Sequence, residues 1–270
     1  MALRHLASLL VAGLFLLPLV WMVSASLRQT GLPPPRTVEW IPDPVSPGNY
    51  GALFDLLPFG RYLLNSLVVV AVAVPLTIVT ASMAGFAMAQ LERRSRAMLV
   101  VLSIALLMVP VTALWLTRFL LFRSVGLVDS LAALIAPALM GTSPLFVLLF
   151  YWTFRRVPPE LFELARMDGA GPLGIWRRVA LPLAVPTSVA VAILAFLVYW
   201  GDFISPLLYL RSQDLYTLPL GLRQLQELDR SDWSLLMAGA VVLVAPAVAV
   251  FVIVQRAFLG EEGLDRLRRR

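Results

Sequence analysis

Residues 62–91 read YLLNSLVVVAVAVPLTIVTASMAGFAMAQL, without one Asp, Glu, Lys, Arg or His. A helix needs roughly 20 apolar residues to cross the hydrocarbon core of a bilayer, so this stretch excludes a water-soluble single domain. Five more uncharged stretches lie around it: Leu6–Leu27, Ala97–Thr117, Ser130–Phe154, Val179–Gly201 and Trp233–Gln255. The next longest gap, Pro44–Phe54, is about half as long and holds Pro, Gly and Asn. The expectation is an all-α polytopic membrane protein with six transmembrane helices. Composition agrees, with 60% hydrophobic and 14% charged residues and a mean hydropathy of +0.85, where soluble domains run near 25% charged.

Basic residues set the orientation of such a chain, because Lys and Arg are retained on the cytoplasmic side. All 22 basic residues here are Arg. With both termini inside, 14 fall in inner segments, including Arg93, Arg94, Arg96, Arg155, Arg156, Arg166, Arg177, Arg178, Arg256 and the tail, and 8 in outer ones, Arg36 and Arg230 among them. The acids lean the other way, 7 inside and 9 outside, so both termini are expected in the cytoplasm and the chain in the cytoplasmic (inner) membrane. Arg4, the first apolar run and Ser24-Ala25-Ser26 also sketch a secretory signal and its cleavage site, but a signal core covers only about 7–15 residues. The first span is therefore expected to be retained. The sequence pI of about 10.4 is read as a membrane face and not as a nucleic-acid site.

Absent residue types close off several chemistries. There is no Cys, one His, at His5, and no Lys, so disulfides, thiolate nucleophiles and Cys zinc sites are excluded and an imidazole metal site has little to draw on. Without Lys there is no phosphate-binding loop of the G-x-x-x-x-G-K-[ST] kind. No ionisable side chain lies inside a span, which disfavours proton relays and gradient-driven transport, and no nucleophile–base pair is present for an intramembrane enzyme. No catalytic residue, metal site or cofactor is expected on this chain. Every span contains proline: Pro18, Pro75, Pro110, Pro137 with Pro144, Pro186 and Pro246. Each can kink its helix where neighbours satisfy the freed carbonyl, and the full set suggests a bundle that moves.

The connection of residues 155–182 reads RRVPPELFELARMDGAGPLGIWRRVALP. Pro158-Pro159-Glu160 opens a helix, with Pro allowed in the first turn and an acid favoured at the positive dipole end. That helix is expected from about Glu160 to Asp168, with Gly169 as its left-handed stop. Gly171-Pro172 opens a second, through Trp176 to Leu181, ended by Pro182. Neither reaches the roughly 12–15 residues at which an isolated helix becomes marginal in water, so both must dock. Leu161, Phe162, Leu164, Ala165 and Met167 give the first an apolar surface that suits either a groove on another protein or this chain's own bundle.

The run Glu163-Leu164-Ala165-Arg166-Met167-Asp168-Gly169-Ala170-Gly171, then Leu181-Pro182-Leu183 and Pro186, resembles the EAA loop of ABC importer permeases, E-A-A-x-x-D-G-A with a downstream I-x-L-P. Leu164 replaces the first Ala and Val179 the usual Ile. The likeness covers most of the chain from Asn65 to Arg256. Asn65-Ser66, Gly126-Leu127-Val128-Asp129-Ser130, Trp200-Gly201-Asp202-Phe203, Pro206-Leu207, Tyr216-Thr217-Leu218-Pro219 and Gln255-Arg256 resemble the carbohydrate-uptake members, the shorter maltose-type partner in particular. The resemblance implies a type I importer bundle whose loop forms a coupling helix seated in a cleft of a cytoplasmic ATPase. It also implies the partners: two ABC ATPase subunits holding ATP and Mg, a second, different permease, and an extracytoplasmic solute-binding protein. Family members often end in a Gly-rich tail that reaches the ATPase; this chain ends in Arg268-Arg269-Arg270, which suits anionic lipid.

On this basis Glu163, Ala165, Asp168, Gly169, Ala170, Gly171, Leu181 and Pro182 are the expected ATPase-coupling residues, Ala165 and Ala170 serving as small contacts. Tyr199, Trp200, Asp202 and Phe203 at the outer end of the fifth span combine aromatic faces with an acceptor, as sugar recognition needs, although an interfacial aromatic belt and an ordinary turn fit them too. The chain divides into a first helix and outer loop (residues 1–61), a permease core (62–256) containing the coupling loop (155–182), and a basic tail (257–270). The function expected is import of a sugar or oligosaccharide. Polyamine, phosphonate or peptide cargo, and a passive channel or scaffold subunit, are the alternatives.

Overall fold

The structure, a computed structural model, describes residues 2–35, 37–228 and 232–268. Arg36 and Arg230, counted above on the outer side, and Arg269 and Arg270 of the tail lie outside the described residues, and the tail's side chains are described only to Arg256. In chain order the helices are α1 (Ala2–Ser26), α2 (Gly48–Leu56), α3 (Phe59–Gln90), α4 (Arg93–Leu107), α5 (Trp115–Ser124), α6 (Leu131–Ile135), α7 (Pro144–Arg156), α8 (Pro159–Met167), α9 (Pro172–Ile175), α10 (Leu181–Leu183), α11 (Val185–Trp200), α12 (Ile204–Tyr209), α13 (Leu218–Leu228) and α14 (Trp233–Arg268). Among the described residues there is no strand.

Four segments are long and apolar enough to cross a membrane: one each within α1, α3 and α14, and Leu131–Arg156. Two bent pairs complete the set expected from the sequence if each is one span. Arg93–Leu107 and Val111–Ser124 meet at 91°, and Pro172–Leu183 and Val185–Trp200 at 83°. The third span is therefore not the single straight helix that its uncharged run suggested. Pro110 drives its neighbour Val109 out of helical geometry, and a short 3₁₀ turn at Val111–Leu114 restarts the chain in a new direction.

The prolines sort into two groups. Pro18, Pro75 and Pro246 sit inside the continuous α1, α3 and α14. The others stand at interruptions. The fourth span breaks between 3₁₀ residues Ala136–Met140 and α7, where Gly141 (φ 73) and Thr142 (φ 61) turn left-handed. In the fifth, the second loop helix does not stop at Pro182 as expected. It continues through a π turn at Trp176–Ala180 to Leu183 and bends at Ala184. Pro186 has no N–H to offer the carbonyl of Pro182, so the bend falls between those two prolines, and the Ala184 N–H is shared between Ala180 O and Leu181 O at 3.1 Å each.

Contacts divide the chain into two units, residues 1–63 with 217–270 and residues 64–216. The sixth span thus groups with the first. In the first unit α14 packs along α1 and α2. The buried Asn49 amide donates to Ser26 O (2.7 Å) and Arg28 O (2.6 Å) while its carbonyl accepts from Thr30 Oγ1 (2.9 Å). Ser24 Oγ donates to Trp40 O at 2.8 Å, and Ser26 Oγ shares a bond with the Tyr50 hydroxyl at 2.8 Å. The small residues that sketch a cleavage site are thus buried and bonded. Gly221 lies on the ring of Tyr62, whose hydroxyl donates to Gln224 Oε1 at 2.9 Å.

In the second unit α3 crosses α7 so closely at Gly85 that a Cβ there would lie 2.7 Å from both Phe150 Cβ and Tyr151 N, and 2.8 Å from Val147 O. Two of those atoms are backbone and cannot rotate away. Gly85→Val is expected to destabilise this unit by about 1–3 kcal/mol or more through overpacking, read as a lower unfolding midpoint of the purified protein in detergent.

Candidate functional site

The loop after α7 builds two different faces on one short helix. α8 begins at Pro159 with Glu160 in its first turn and ends with Arg166 in its last, each charge placed to favour the helix dipole. One face is anchored. Phe162 is 4% exposed and meets the edge of Phe86 at 5.6 Å and 73°, while Phe86 in turn meets Phe154 at 5.7 Å and 85°. Edge-to-face pairs of this kind contribute about 0.5–1.5 kcal/mol each beyond area burial. On the same side Arg166 Nη2 donates to Gln90 Oε1 at 2.7 Å, tying the end of α8 to the end of α3. The other face is open: Leu161, Leu164 and Met167 are 41%, 57% and 83% exposed, and Glu160 and Glu163 are exposed beside them. Phe162 docks on this chain, and the remaining apolar residues of the helix are uncovered.

The helix closes in a Schellman turn. Ala170 N–H donates to Ala165 O and Gly169 N–H to Arg166 O, both at 3.0 Å, with Gly169 at φ 80. A Cβ on Gly169 would meet no atom within 4 Å, so glycine is required for conformation and not for space. Ala165 and Ala170 are the two ends of the long bond of this turn, and both pack against the core of their own unit. Their small size lets the turn lie down on the bundle, and both remain only half-buried. Asp168 caps the helix and is exposed, as are Gly171 and Pro182, and Leu181 is half-buried. Beyond the turn, Trp176 is buried with its Nε1 donating to Ser82 Oγ at 3.2 Å, which fixes the π turn against α3.

At the far end of α11 the four residues expected along a substrate path point to separate tasks. Trp200 is 4% exposed, its ring stacked on Phe196 at 5.6 Å and 11°. Asp202 Oδ1 accepts from Ser205 N–H at 3.0 Å and so caps the start of α12, and Phe203 is half-buried. The Tyr199 hydroxyl shares a 2.7 Å bond with Thr142 Oγ1, which shares one of 2.6 Å with Thr77 Oγ1. This chain of hydroxyls joins α3, the left-handed break of the fourth span and α11. Reading the spans for ionisable groups alone passes over it; the polar Thr77 and Thr80 on consecutive turns of α3 are the signal. Thr80 Oγ1 donates to Ala138 O at 2.6 Å, next to the same break.

Nearby, Asp129 (φ 63) accepts from the backbone N–H groups of Arg211 and Ser212 at 2.9 and 2.8 Å and from the Ser212 hydroxyl at 2.5 Å. The Ser212 hydroxyl first, then these two amides, hold its carboxyl below its usual value. Asn65 Nδ2 donates to Asp214 O and Tyr216 O at 2.8 and 2.9 Å, so residues 209–216 are pinned from both sides. Among the described residues no group of three His, Asp or Glu side chains could hold a metal ion.

A short helix anchored on one face and bare on the other follows the fourth span of this proline-rich membrane bundle. Residues 78–259 match the family described as binding-protein-dependent transport system inner membrane component, and the chain belongs to it. It is 32% identical over 252 residues to the arabinooligosaccharides transport system permease protein AraQ of Halalkalibacterium halodurans, covering 92% of this chain and 90% of that one. It is 31% identical to the sulfoquinovosyl glycerol transport system permease protein SmoH of Agrobacterium fabrum, over 94% and 89%, and 32% identical to the trehalose transport system permease protein SugB of Mycobacterium tuberculosis, over 92% and 90%. The fold matches a chain of a bacterial ABC transporter that imports alginate, with a TM-score of 0.75 over 95% of both chains at 18% identity.

Two tests follow from the geometry. Because Gly169 is needed only for its φ, Gly169→Val is expected to abolish uptake, and Gly169→Asn, which tolerates the left-handed region, to keep a measurable share, in whole-cell uptake at matched membrane levels. Asp129→Ala is expected to lower the hydrogen-exchange protection of the Arg211 and Ser212 amides. In the unsubstituted protein that protection should hold from about pH 7 to about pH 5 and be lost only as the pH falls through the lowered carboxyl value, beneath the ordinary Asp range.

Proposed function

We propose that this chain is one of two permease subunits of an ATP-driven importer for a sugar or oligosaccharide. The observation that carries the reading is the open face of α8: Leu161, Leu164 and Met167 are exposed on a helix that Phe162 and Arg166 hold in place. An amphipathic helix presented this way fits a groove on another protein. The chain has no phosphate-binding loop, so ATP, with its Mg, is bound and hydrolysed by two partner ATPase subunits that receive α8. Glu163, Asp168 and Gly169 shape the seated end, and Gly171, Leu181 and Pro182 continue it into the fifth span.

The cargo is inferred from the relatives, whose names speak of arabinooligosaccharides, sulfoquinovosyl glycerol and trehalose. The six long uncharged runs of the sequence suit a neutral, hydroxyl-rich solute. Tyr199, Trp200, Asp202 and Phe203 would border its route. The hydroxyls of Tyr199, Thr142 and Thr77 would sit at the break of the fourth span, since irregular backbone at membrane depth is tolerated where it is buried in protein or lines a cavity. A second, different permease supplies the other half of the route, and an extracytoplasmic binding protein delivers the solute. A solved alginate transporter of the same fold carries a periplasmic protein bound to an alginate pentasaccharide. The Arg distribution supports a cytoplasmic side for both termini and α8.

Leu164→Asp and Met167→Asp change exposed residues and leave Phe162 untouched. In proteoliposomes of the full complex, each is expected to cut binding-protein-stimulated ATP hydrolysis at least about tenfold, the loss of roughly 1.4 kcal/mol of coupling, with normal insertion and thermal stability. Unchanged stimulation in both variants would remove α8 as the contact.

A further inference from the structure

Between α8 and the ends of α3 and α7 lies a cavity of about 230 Å³. Its lining pairs buried Phe154 and Phe162 and half-buried Val157 with exposed Gln90, Arg155 and Arg166. No acid lines it. Arg166 is spent on the neutral Gln90 amide, and Arg155 has no hydrogen-bond or ion-pair partner among the described residues. Two guanidinium groups therefore face one small space without a counter-charge. The space is under the roughly 300–1,000 Å³ of ordinary small-molecule pockets, and its lining combines two chemistries, cationic forks and aromatic and aliphatic carbon.

We propose that this cavity binds the phosphate of an anionic phospholipid, with the glycerol and the first carbons of its chains over Phe154 and Phe162. Arg is suited to a phosphate through paired N–H donors, and basic pockets among spans on the cytoplasmic side take anionic headgroups. The apolar part of the lining and the position at the foot of two spans favour lipid over free phosphate. One phosphate bonded to Arg155 at the end of α7 and Arg166 on α8 would tie the helix to α7, beside the existing links through Phe162 and the Arg166–Gln90 bond. Anionic lipid would thereby stiffen α8 and raise coupling. The regulatory part rests on the function proposed above; binding of the lipid does not.

The test uses the assembled complex in nanodiscs of phosphatidylcholine with or without phosphatidylglycerol. Native mass spectrometry should find phosphatidylglycerol retained on the permease, and binding-protein-stimulated ATP hydrolysis should rise roughly fivefold with it, the factor that one Arg near an anionic surface supplies. Arg155→Gln should lose both retention and stimulation. Arg177→Gln, on the same loop but outside the cavity, should lose neither. Equal behaviour of the two variants would reduce the effect to general surface charge and overturn the proposal. So would inorganic phosphate reproducing the stimulation in phosphatidylcholine, and so would loss of ATPase co-purification by Arg155→Gln in phosphatidylcholine, which would assign the cavity to a carboxylate of the ATPase. If the binding protein stimulates nothing in any lipid, the importer reading fails while the retention measurement still decides the site.

Discussion

The burial of Phe162 against Phe86 and Phe154 is the contact on which the working end of this protein depends. α8 has nine residues, too few to persist alone in water. Removing a buried Phe typically costs about 3–5 kcal/mol, more than a helix of this size can hold in reserve. With Phe162 seated, a helix that would otherwise melt is presented as a rigid projection, and its opposite face is free for another protein. The Schellman turn at Gly169 then reverses the chain within three residues, and Ala165 and Ala170 let that reversal lie flat against the core.

Under the proposed coupling, force applied at α8 would have a continuous route. Phe162 bears on Phe86 of α3, Arg166 on Gln90 at the end of the same helix, and the loop continues through the π turn into the bent fifth span. The breaks of the fourth and fifth spans lie further along, and the hydroxyls of Thr77, Thr142 and Tyr199 join them across the unit. Such broken segments have two discrete packings more readily than an ideal helix does, which is what a transport cycle needs. The three continuous spans, α1, α3 and α14, keep their prolines without breaking.

Much of this is legible in the residues themselves. Charge-free runs identify the spans because a charge at the bilayer centre is costly. The Pro-Pro-Glu start and the Gly169 stop of α8 follow from capping chemistry within one residue of the observed ends. What escapes is long-range. Nothing local at Phe162 distinguishes it from Leu161 or Leu164, and only the arrival of Phe86 makes it the anchor. Pro182 looks like a terminator in sequence, yet the π turn before it absorbs the missing hydrogen bond and the helix runs on to Leu183. The packing of Ala165 and Ala170 on the core is long-range too, since which side of a turn faces the bundle is decided by packing. The residues of the outer path remain the least legible, because aromatic and polar groups near a span end serve belts, caps and binding sites alike.

The most direct measurement of the central claim is site-specific photo-crosslinking in the assembled complex from a photoreactive residue at Met167, on the bare face, and from one at Phe162, on the anchored face, during ATP turnover. Crosslinks from Met167 to the ATPase, with those from Phe162 confined to the permease itself, are the result expected. A turning-over complex in which Met167 never reaches the ATPase would contradict the account.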